Sequence, residues 1–167
     1  PGSSVRFIKY VKPTYTRKIF KGEAFLAADD SFELFVNGTL VGGGKGTQHL
    51  HYVDFSDRLE GAKTTIEVVA TNGGESENPA GLAGVVQITY LNPEGAEERR
   101  LVPTYGSWRL PPEKLGGEPT RSEELAMFGD GPWKEITTAI PMDTGYPGDF
   151  VRAVAVKNHP FLRALGR

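Results

Sequence analysis

The sequence predicts an all-β protein built as an antiparallel β-sandwich. Short segments with alternating apolar and polar side chains recur along the chain, and turn residues separate them. No helical periodicity intervenes between these segments, which argues against βαβ units. The 21 glycines and 12 prolines also favour a turn-rich, all-β architecture.

The clearest element is a central hairpin. Phe32, Leu34 and Val36 alternate with more polar positions, which is the period of a strand with one face on a core. The Asn37-Gly38 pair that follows suits a type I′ turn, because both central residues of that turn need positive φ. The chain then resumes as a second strand from residue 39, so the unit is predicted to be a hairpin.

The segments before and just after the hairpin are less regular. Residues 5–15 mix apolar and basic side chains, and Pro13 is expected to limit any regular element there. Residues 15–20 are predicted to form a strand that enters the fold, and residues 23–28 lead into the hairpin. Residues 42–47 contain four glycines and are interpreted as a flexible loop.

Further strands follow at short spacing. We predict strands at residues 52–55, 64–71, 84–91 and 98–102, with a turn at residues 92–95 between the last two. In the second of these strands, Ile66, Val68 and Ala70 share one face. Residues 103–147 show weak patterning, and residues 122–128 are predicted to form one or two helical turns.

Three segments are therefore expected. Residues 1–12 are a lead-in whose first four residues are typical of an expression-vector remnant, residues 13–148 form the sandwich, and residues 149–167 form an apolar tail that resembles the start of a following domain. A net charge of -2 gives no reason to expect nucleic acid or an anionic membrane as partner. The absence of cysteine excludes disulfides and thiolate metal sites.

Two motifs are weak. The glycine-rich residues 42–47 lack the Walker spacing and the helix that a phosphate loop needs. His49 and His51 would share one face of a strand, but zinc needs three or four ligands, so histidines at the surface or rim are the better interpretation.

Candidate binding residues fall in loops. Asn72, Glu75 and Asn78 suit sugar hydroxyls or oxygen-seeking cations, and an ordinary solvated turn is the alternative. Asp29 and Asp30 are adjacent, so they cannot be the opposed acid pair of a glycosidase. At least one of them is expected to make local turn bonds. The other, which we assign as Asp30, would bind a sugar or calcium.

Aromatic residues offer a second kind of candidate. Trp108 and Trp133 are the two tryptophans and lie in loop-like sequence, where a ring could stack on a sugar. Burial at the ends of the core is the favoured alternative for each, because tryptophans are usually largely buried. Tyr105 is a weaker stacking candidate of the same kind.

Seven short segments match a known pattern in order: residues 17–20, 28–38, 59–61, 70–72, 79–82, 107–109 and 131–133. Taken together, they resemble the galactose-binding-like jelly-roll domains found beside α-L-rhamnosidases and other glycoside hydrolases. The resemblance spans residues 16–140, although residues 61–64 lack the Gly-x-Asn of the family pattern. It implies an accessory, non-catalytic carbohydrate-binding module, often with a structural calcium, whose partner is a polysaccharide or glycan.

Residues 151–167 resemble part of the large planctomycetal surface proteins that carry a cytochrome-c-like module. This resemblance implies a module of a larger extracytoplasmic protein, with neighbouring domains of the same chain as partners. The Cys-x-x-Cys-His motif is absent, so no haem is expected on this fragment. The leading hypothesis is a glycan-binding module. A structural module that orients neighbouring domains is the alternative, and a hydrolase is a third, weaker one.

Overall fold

A computed structural model describes residues 3–12, 18–28, 30–46, 50–60, 63–73, 82–104, 108–110, 120–121, 123–127 and 152–155. Within these residues the chain forms β-strands and one 3-10 helix, and no helix is long and apolar enough to cross a membrane. The strands are β1 Ser3–Val11, β2 Lys18–Ala28, β3 Ser31–Val36, β4 Thr39–Lys45, β5 His51–Asp54, β6 Thr64–Asn72, β7 Leu82–Leu91, β8 Glu97–Pro103, β9 Arg109–Leu110, β10 Thr120–Arg121, β11 Glu123–Met127 and β12 Arg152–Ala155, and the 3-10 helix is Ser56–Arg58.

The strands form two antiparallel sheets, which confirms the predicted sandwich. Sheet A has the order β10-β9-β1-β6-β3-β4, and sheet B has the order β11-β12-β7-β2-β5, with β8 paired to β7. The alternation read from the sequence decides which side chains enter the core. Ile66, Val68 and Ala70 of β6 are buried in it, as predicted.

The central hairpin is also confirmed. Asn37 and Gly38 have φ values of 50° and 79°, the left-handed conformations that the turn requires. Asn37 also fixes the turn to its surroundings, because its Oδ1 accepts the Thr65 amide proton at 2.8 Å and its Nδ2 donates to the Arg58 carbonyl at 2.8 Å.

The prediction for the N-terminal lead-in was wrong. Residues 3–11 form β1, which pairs with β6 along its whole length and lies inside sheet A between β6 and β9. The strand ends at Val11, two positions before Pro13 in the sequence. The alternation is hard to see in the sequence because Lys9 takes an inward position between Phe7 and Val11. Burial first, and then the charges of Arg100 and Arg109, lower the pKa of this lysine.

The glycine-rich segment was also mispredicted as a loop, since β4 runs through Lys45. Its glycines are required by close packing. A Cβ on Gly42 would lie 2.8 Å from Val53 Cγ2, and one on Gly44 would lie 2.3 Å from the His51 ring. The missing side chains let β4 lie close to β5 at the edge of the sandwich.

Two late segments are strands. Residues 123–127 form β11 where helical turns were predicted, because pairing with β12 overrides the helix preference of Glu, Leu, Ala and Met. Residues 152–155, assigned to the tail, form β12, and Val154 pairs with Leu82 of β7. These four residues are therefore part of sheet B.

Candidate functional site

Three connections meet at one end of the sandwich. They follow β2, β4 and β6, and the strand register brings their ends together, since Ser31 is level with both Lys45 and Thr71, and Ala28 is level with Leu82. We call this end the loop rim, defined by Asp30, Ser31, Lys45, Gly46, Thr71 and Gly73. Of the sequence-predicted residues, Asp30 belongs to this rim, and the backbone of Asn72 lies between the rim residues Thr71 and Gly73.

Asp30 joins the three connections. Its carboxylate Oδ2 accepts the amide proton of Gly73 after β6, and its main-chain carbonyl accepts the amide proton of Gly46 after β4 at 2.7 Å. The sequence predicts local turn bonds for an aspartate here, but the Asp30 carboxylate instead bonds a residue that is distant in sequence. Within the described part of the chain, the other carboxylate oxygen of the exposed Asp30 has no hydrogen-bond partner and is available to a ligand.

A row of polar side chains crosses the outer face of sheet A beside Asp30. Ser4 is level with Thr71, Thr71 with Ser31, and Ser31 with Lys45. The sequence neighbours of the first three, Val5, Ala70 and Phe32, point into the core, so the row points outward. The Ser4 and Thr71 hydroxyls are 2.8 Å apart and share a hydrogen bond.

Sequence reasoning missed this row. Ser4, Ser31 and Thr71 each follow or precede a buried residue in a separate strand, so the alternation assigns these three to the outer face. Their adjacency depends on the pairing of β1, β6, β3 and β4, which no single segment of sequence reveals.

His51 lies at the same end but on the inner side, which agrees with the interpretation of a rim histidine. Its Nε2 is 2.9 Å from the Lys45 carbonyl oxygen, and its ring meets the Phe32 ring edge-on with centroids 5.9 Å apart. No group of three or more His, Asp or Glu side chains placed to hold a metal occurs among the residues that the structure describes.

Trp108 is not a stacking platform, which corrects its assignment to the binding site. It is 0% exposed and belongs to the same hydrophobic core cluster as Phe7. The next residue, Arg109, pairs with Ile8 of β1, which draws Trp108 between the sheets. The alternative that this tryptophan covers the core is confirmed.

The remaining candidates are only partly placed. Asn72 ends β6, where its backbone pairs with Ser3. Glu75, Asn78, Tyr105 and Trp133 lie outside the described residues, as does His49 of the histidine pair.

Solved structures similar to the chain include sugar-binding and sugar-cleaving proteins. The lectin of Pleurotus ostreatus, solved in complex with GalNAc, has a TM-score of 0.66 and 28% identity over 83% of this chain and 42% of the lectin. Its apo form gives a TM-score of 0.63 and 27% identity over the same shares. An α-L-rhamnosidase of Streptomyces avermitilis, complexed with L-rhamnose, has a TM-score of 0.59 and 19% identity over 80% of this chain and 14% of the enzyme.

The fold is therefore a lectin-like β-sandwich. The rhamnosidase likeness, at its low identity, supports this fold alone. The chain spans less than half of the length of each of these proteins. No protein family and no curated protein matches the sequence.

Proposed function

We propose that this chain is a non-catalytic carbohydrate-binding module that binds sugar at the loop rim. The observation that carries the proposal is the likeness to the Pleurotus lectin, which was solved with GalNAc, at 28% identity over 83% of this chain. The rim adds a chemical reason, because Asp30 offers a carboxylate oxygen at the meeting point of three connections.

The proposed contacts follow from the groups at the rim. Asp30 Oδ1 would accept a sugar hydroxyl, and Ser31, Thr71 and Lys45 would supply further hydroxyl and ammonium groups. Asn72, Glu75 and Asn78 would complete the polar contacts from the β6–β7 connection. Since the rim side chains are largely open to water, we expect weak binding in which the gain per hydrogen bond is small.

Amide NMR titration tests the proposal directly. A panel of neutral monosaccharides that includes N-acetylgalactosamine and L-rhamnose should shift the amides of Gly46 and Gly73. Asp30→Ala should weaken this response at least about tenfold, because it removes a charged acceptor. Glu33→Ala is the matched control, since Glu33 is an exposed carboxylate on the same sheet and lies outside the rim. A panel that leaves the rim amides unchanged would contradict the proposal.

The setting of the module is part of the proposal. We infer that the chain serves within a larger extracytoplasmic protein, which it would hold on a glycan, and that calcium would rigidify the rim. The chain covers only 42% of the lectin and 14% of the rhamnosidase, which supports a role as one module of a larger protein. Titration in the presence of a chelator tests the calcium requirement. Turnover of aryl glycosides would contradict the non-catalytic assignment.

One observation favours a second candidate, a structural module that orients neighbouring domains of the parent chain. Trp108 is buried, so one of the proposed stacking faces is unavailable to a sugar. Under this alternative no sugar would shift the rim amides. Removal of the module would instead change the spacing of its neighbours, which small-angle scattering of the parent protein would measure.

A further inference from the structure

A series of hydrogen bonds reaches the loop rim from the opposite sheet. His51 begins β5 in sheet B, and its Nε2 lies 2.9 Å from the carbonyl oxygen of Lys45, which ends β4 in sheet A. A carbonyl oxygen only accepts hydrogen bonds, so Nε2 carries a proton and is the donor. The contact therefore joins a side chain of one sheet to the main chain of the other.

The peptide unit that accepts this bond is also held from its other side. The peptide bond between Lys45 and Gly46 is trans, so its carbonyl and its N–H point in opposite directions. The carbonyl faces His51, and the Gly46 N–H donates to the main-chain carbonyl of Asp30 at 2.7 Å. The unit thus lies between His51 and the residue that carries the proposed ligand contact.

The two bonds of this peptide unit strengthen each other. A hydrogen bond to a peptide carbonyl polarises the amide, and the N–H of the same amide then becomes a better donor. The His51 contact should accordingly tighten the contact between Gly46 and Asp30. Because Asp30 also bonds the Gly73 amide through its carboxylate, the series ends at the residue that joins all three connections of the rim.

The neighbours of His51 hold its ring where it can make this bond. The ring meets the Phe32 ring edge-on, with centroids 5.9 Å apart. Gly44 is level with Phe32 in the β3–β4 pair, and a Cβ there would lie 2.3 Å from the imidazole. A side chain at this position would displace the ring, so the bare Gly44 and the aromatic Phe32 together keep Nε2 at the Lys45 carbonyl.

We propose that His51 is a positioning residue for sugar binding at the loop rim. In this role it touches no ligand. Its donor orients the Lys45–Gly46 peptide unit, which in turn holds Asp30 in place for a sugar hydroxyl. Order in the free rim lowers the conformational entropy that binding would otherwise cost. The inference rests on the proposed carbohydrate-binding function for its ligand class.

Two variants separate the donor of His51 from its ring. His51→Phe keeps an aromatic ring beside Phe32 but has no donor, whereas His51→Gln places an amide N–H near the position of Nε2 and has no ring. Tyr52→Phe is the matched control, since Tyr52 is the next residue of β5 and its hydroxyl donates to Glu23, outside the rim. Unfolding curves establish that each variant is folded.

Amide hydrogen exchange in the absence of sugar tests the positioning step. The Gly46 amide should exchange about fivefold faster in His51→Phe, because the peptide unit can then open without breaking the His51 bond as well. His51→Gln and Tyr52→Phe should stay within about twofold of the wild type. Wild-type exchange in His51→Phe would overturn the inference. Faster exchange in His51→Gln than in His51→Phe would also overturn it, since the effect would then come from ring packing.

The monosaccharide titration tests the consequence for binding. In His51→Phe the dissociation constant measured at the rim amides should rise about threefold or more, while His51→Gln should stay near the wild-type value. Unchanged affinity in His51→Phe, despite faster exchange at Gly46, would overturn the role in binding.

The two measurements also separate this inference from the proposed function. A panel that leaves the rim amides of the wild type unchanged contradicts the proposed function, and the role of His51 in binding falls with it. Exchange at Gly46 would still decide whether His51 orders the rim. A wild type that binds sugar while His51→Phe shows neither change would overturn the inference alone.

Discussion

Asp30 and Gly73 are hydrogen-bonded although they are 43 positions apart in the sequence. The contact joins the β2–β3 connection to the end of β6. The main-chain carbonyl of Asp30 also accepts a hydrogen bond from the amide of Gly46, which follows β4. One residue therefore sets the relative position of three connections. Its carboxylate has a structural role through one oxygen and a proposed binding role through the other, and suitable variants separate the two.

Replacing Asp30 should speed the hydrogen exchange of the Gly73 amide only if the new side chain cannot accept its hydrogen bond. In Asp30→Ala the Gly73 amide loses its partner, and its hydrogen exchange should accelerate roughly fivefold, which corresponds to about 1 kcal/mol. Asp30→Asn keeps a carbonyl acceptor and should leave the exchange nearly unchanged. Because the bond is exposed, global unfolding should change by less than about 1 kcal/mol in both variants. Equal exchange at Gly73 in the wild type and Asp30→Ala would contradict the role assigned to this carboxylate.

The surroundings of the Tyr52 hydroxyl should make the stability of the fold depend on alkaline pH. Burial first, and then the hydrogen bond and charge of Glu23, raise the pKa of Tyr52 from 10.0 to about 12. The folded state thus keeps the phenolic proton to higher pH than the unfolded state does. Its stabilising contribution is complete below pH 10.0 and is lost as the pH rises toward about 12.

Urea unfolding of the wild type and of Tyr52→Phe across this range measures the effect. The free energy of unfolding of the wild type should fall relative to that of the variant above pH 10.0. Tyr10→Phe controls for the loss of a phenol elsewhere on the surface. A wild-type-to-variant difference that stays constant through the alkaline range would contradict the raised pKa.

The strands that the sequence predicts well are those with a clean alternation. β3 and β6 each place one apolar row in the core and one polar row outside, and the Asn37-Gly38 turn adds an independent signal. β1 escapes prediction because Lys9 occupies an inward position. β4 is not predicted because its glycines are explained only by close packing against Val53 and His51 across the sandwich.

The candidate site and the other polar contacts show the same division. Asp30 was identified from its residue type, but its partner Gly73 depends on the pairing of β3 with β6. Glu23 is followed by an apolar run, and Gln87 lies between the apolar Val86 and Ile88, which is a visible signal. What the sequence could not give is that they are neighbours, because that follows from the β2–β7 register.

Gly84 should be the least replaceable of the described glycines. Its φ is 147°, and a Cβ added there would lie 2.0 Å from the Phe25 carbonyl oxygen, a backbone atom that cannot move aside. Gly84→Ala should lower the free energy of unfolding by about 3 kcal/mol or more, through strain and the close contact together. Chemical denaturation measures this loss.

Gly38→Ala is the matched control for that prediction. Gly38 also has a positive φ, of 79°, but a Cβ there would have nothing within 4 Å. Its replacement should cost only about 1 kcal/mol, from backbone strain alone. Equal losses for the two variants would show that close packing against β2 does not distinguish Gly84.

Trp108 should contribute to stability and not to sugar binding. Trp108→Ala removes a fully buried ring and should lower the free energy of unfolding by about 3–5 kcal/mol. Trp108→Phe retains part of the packing, so it should fold with a smaller loss even if the alanine variant does not. Because the tryptophan ring is enclosed between the sheets, the phenylalanine variant should bind the monosaccharide panel with wild-type affinity in the NMR titration. A stable Trp108→Phe protein with lost sugar affinity would restore the stacking role, because loss of packing would then be separated from loss of the ligand contact.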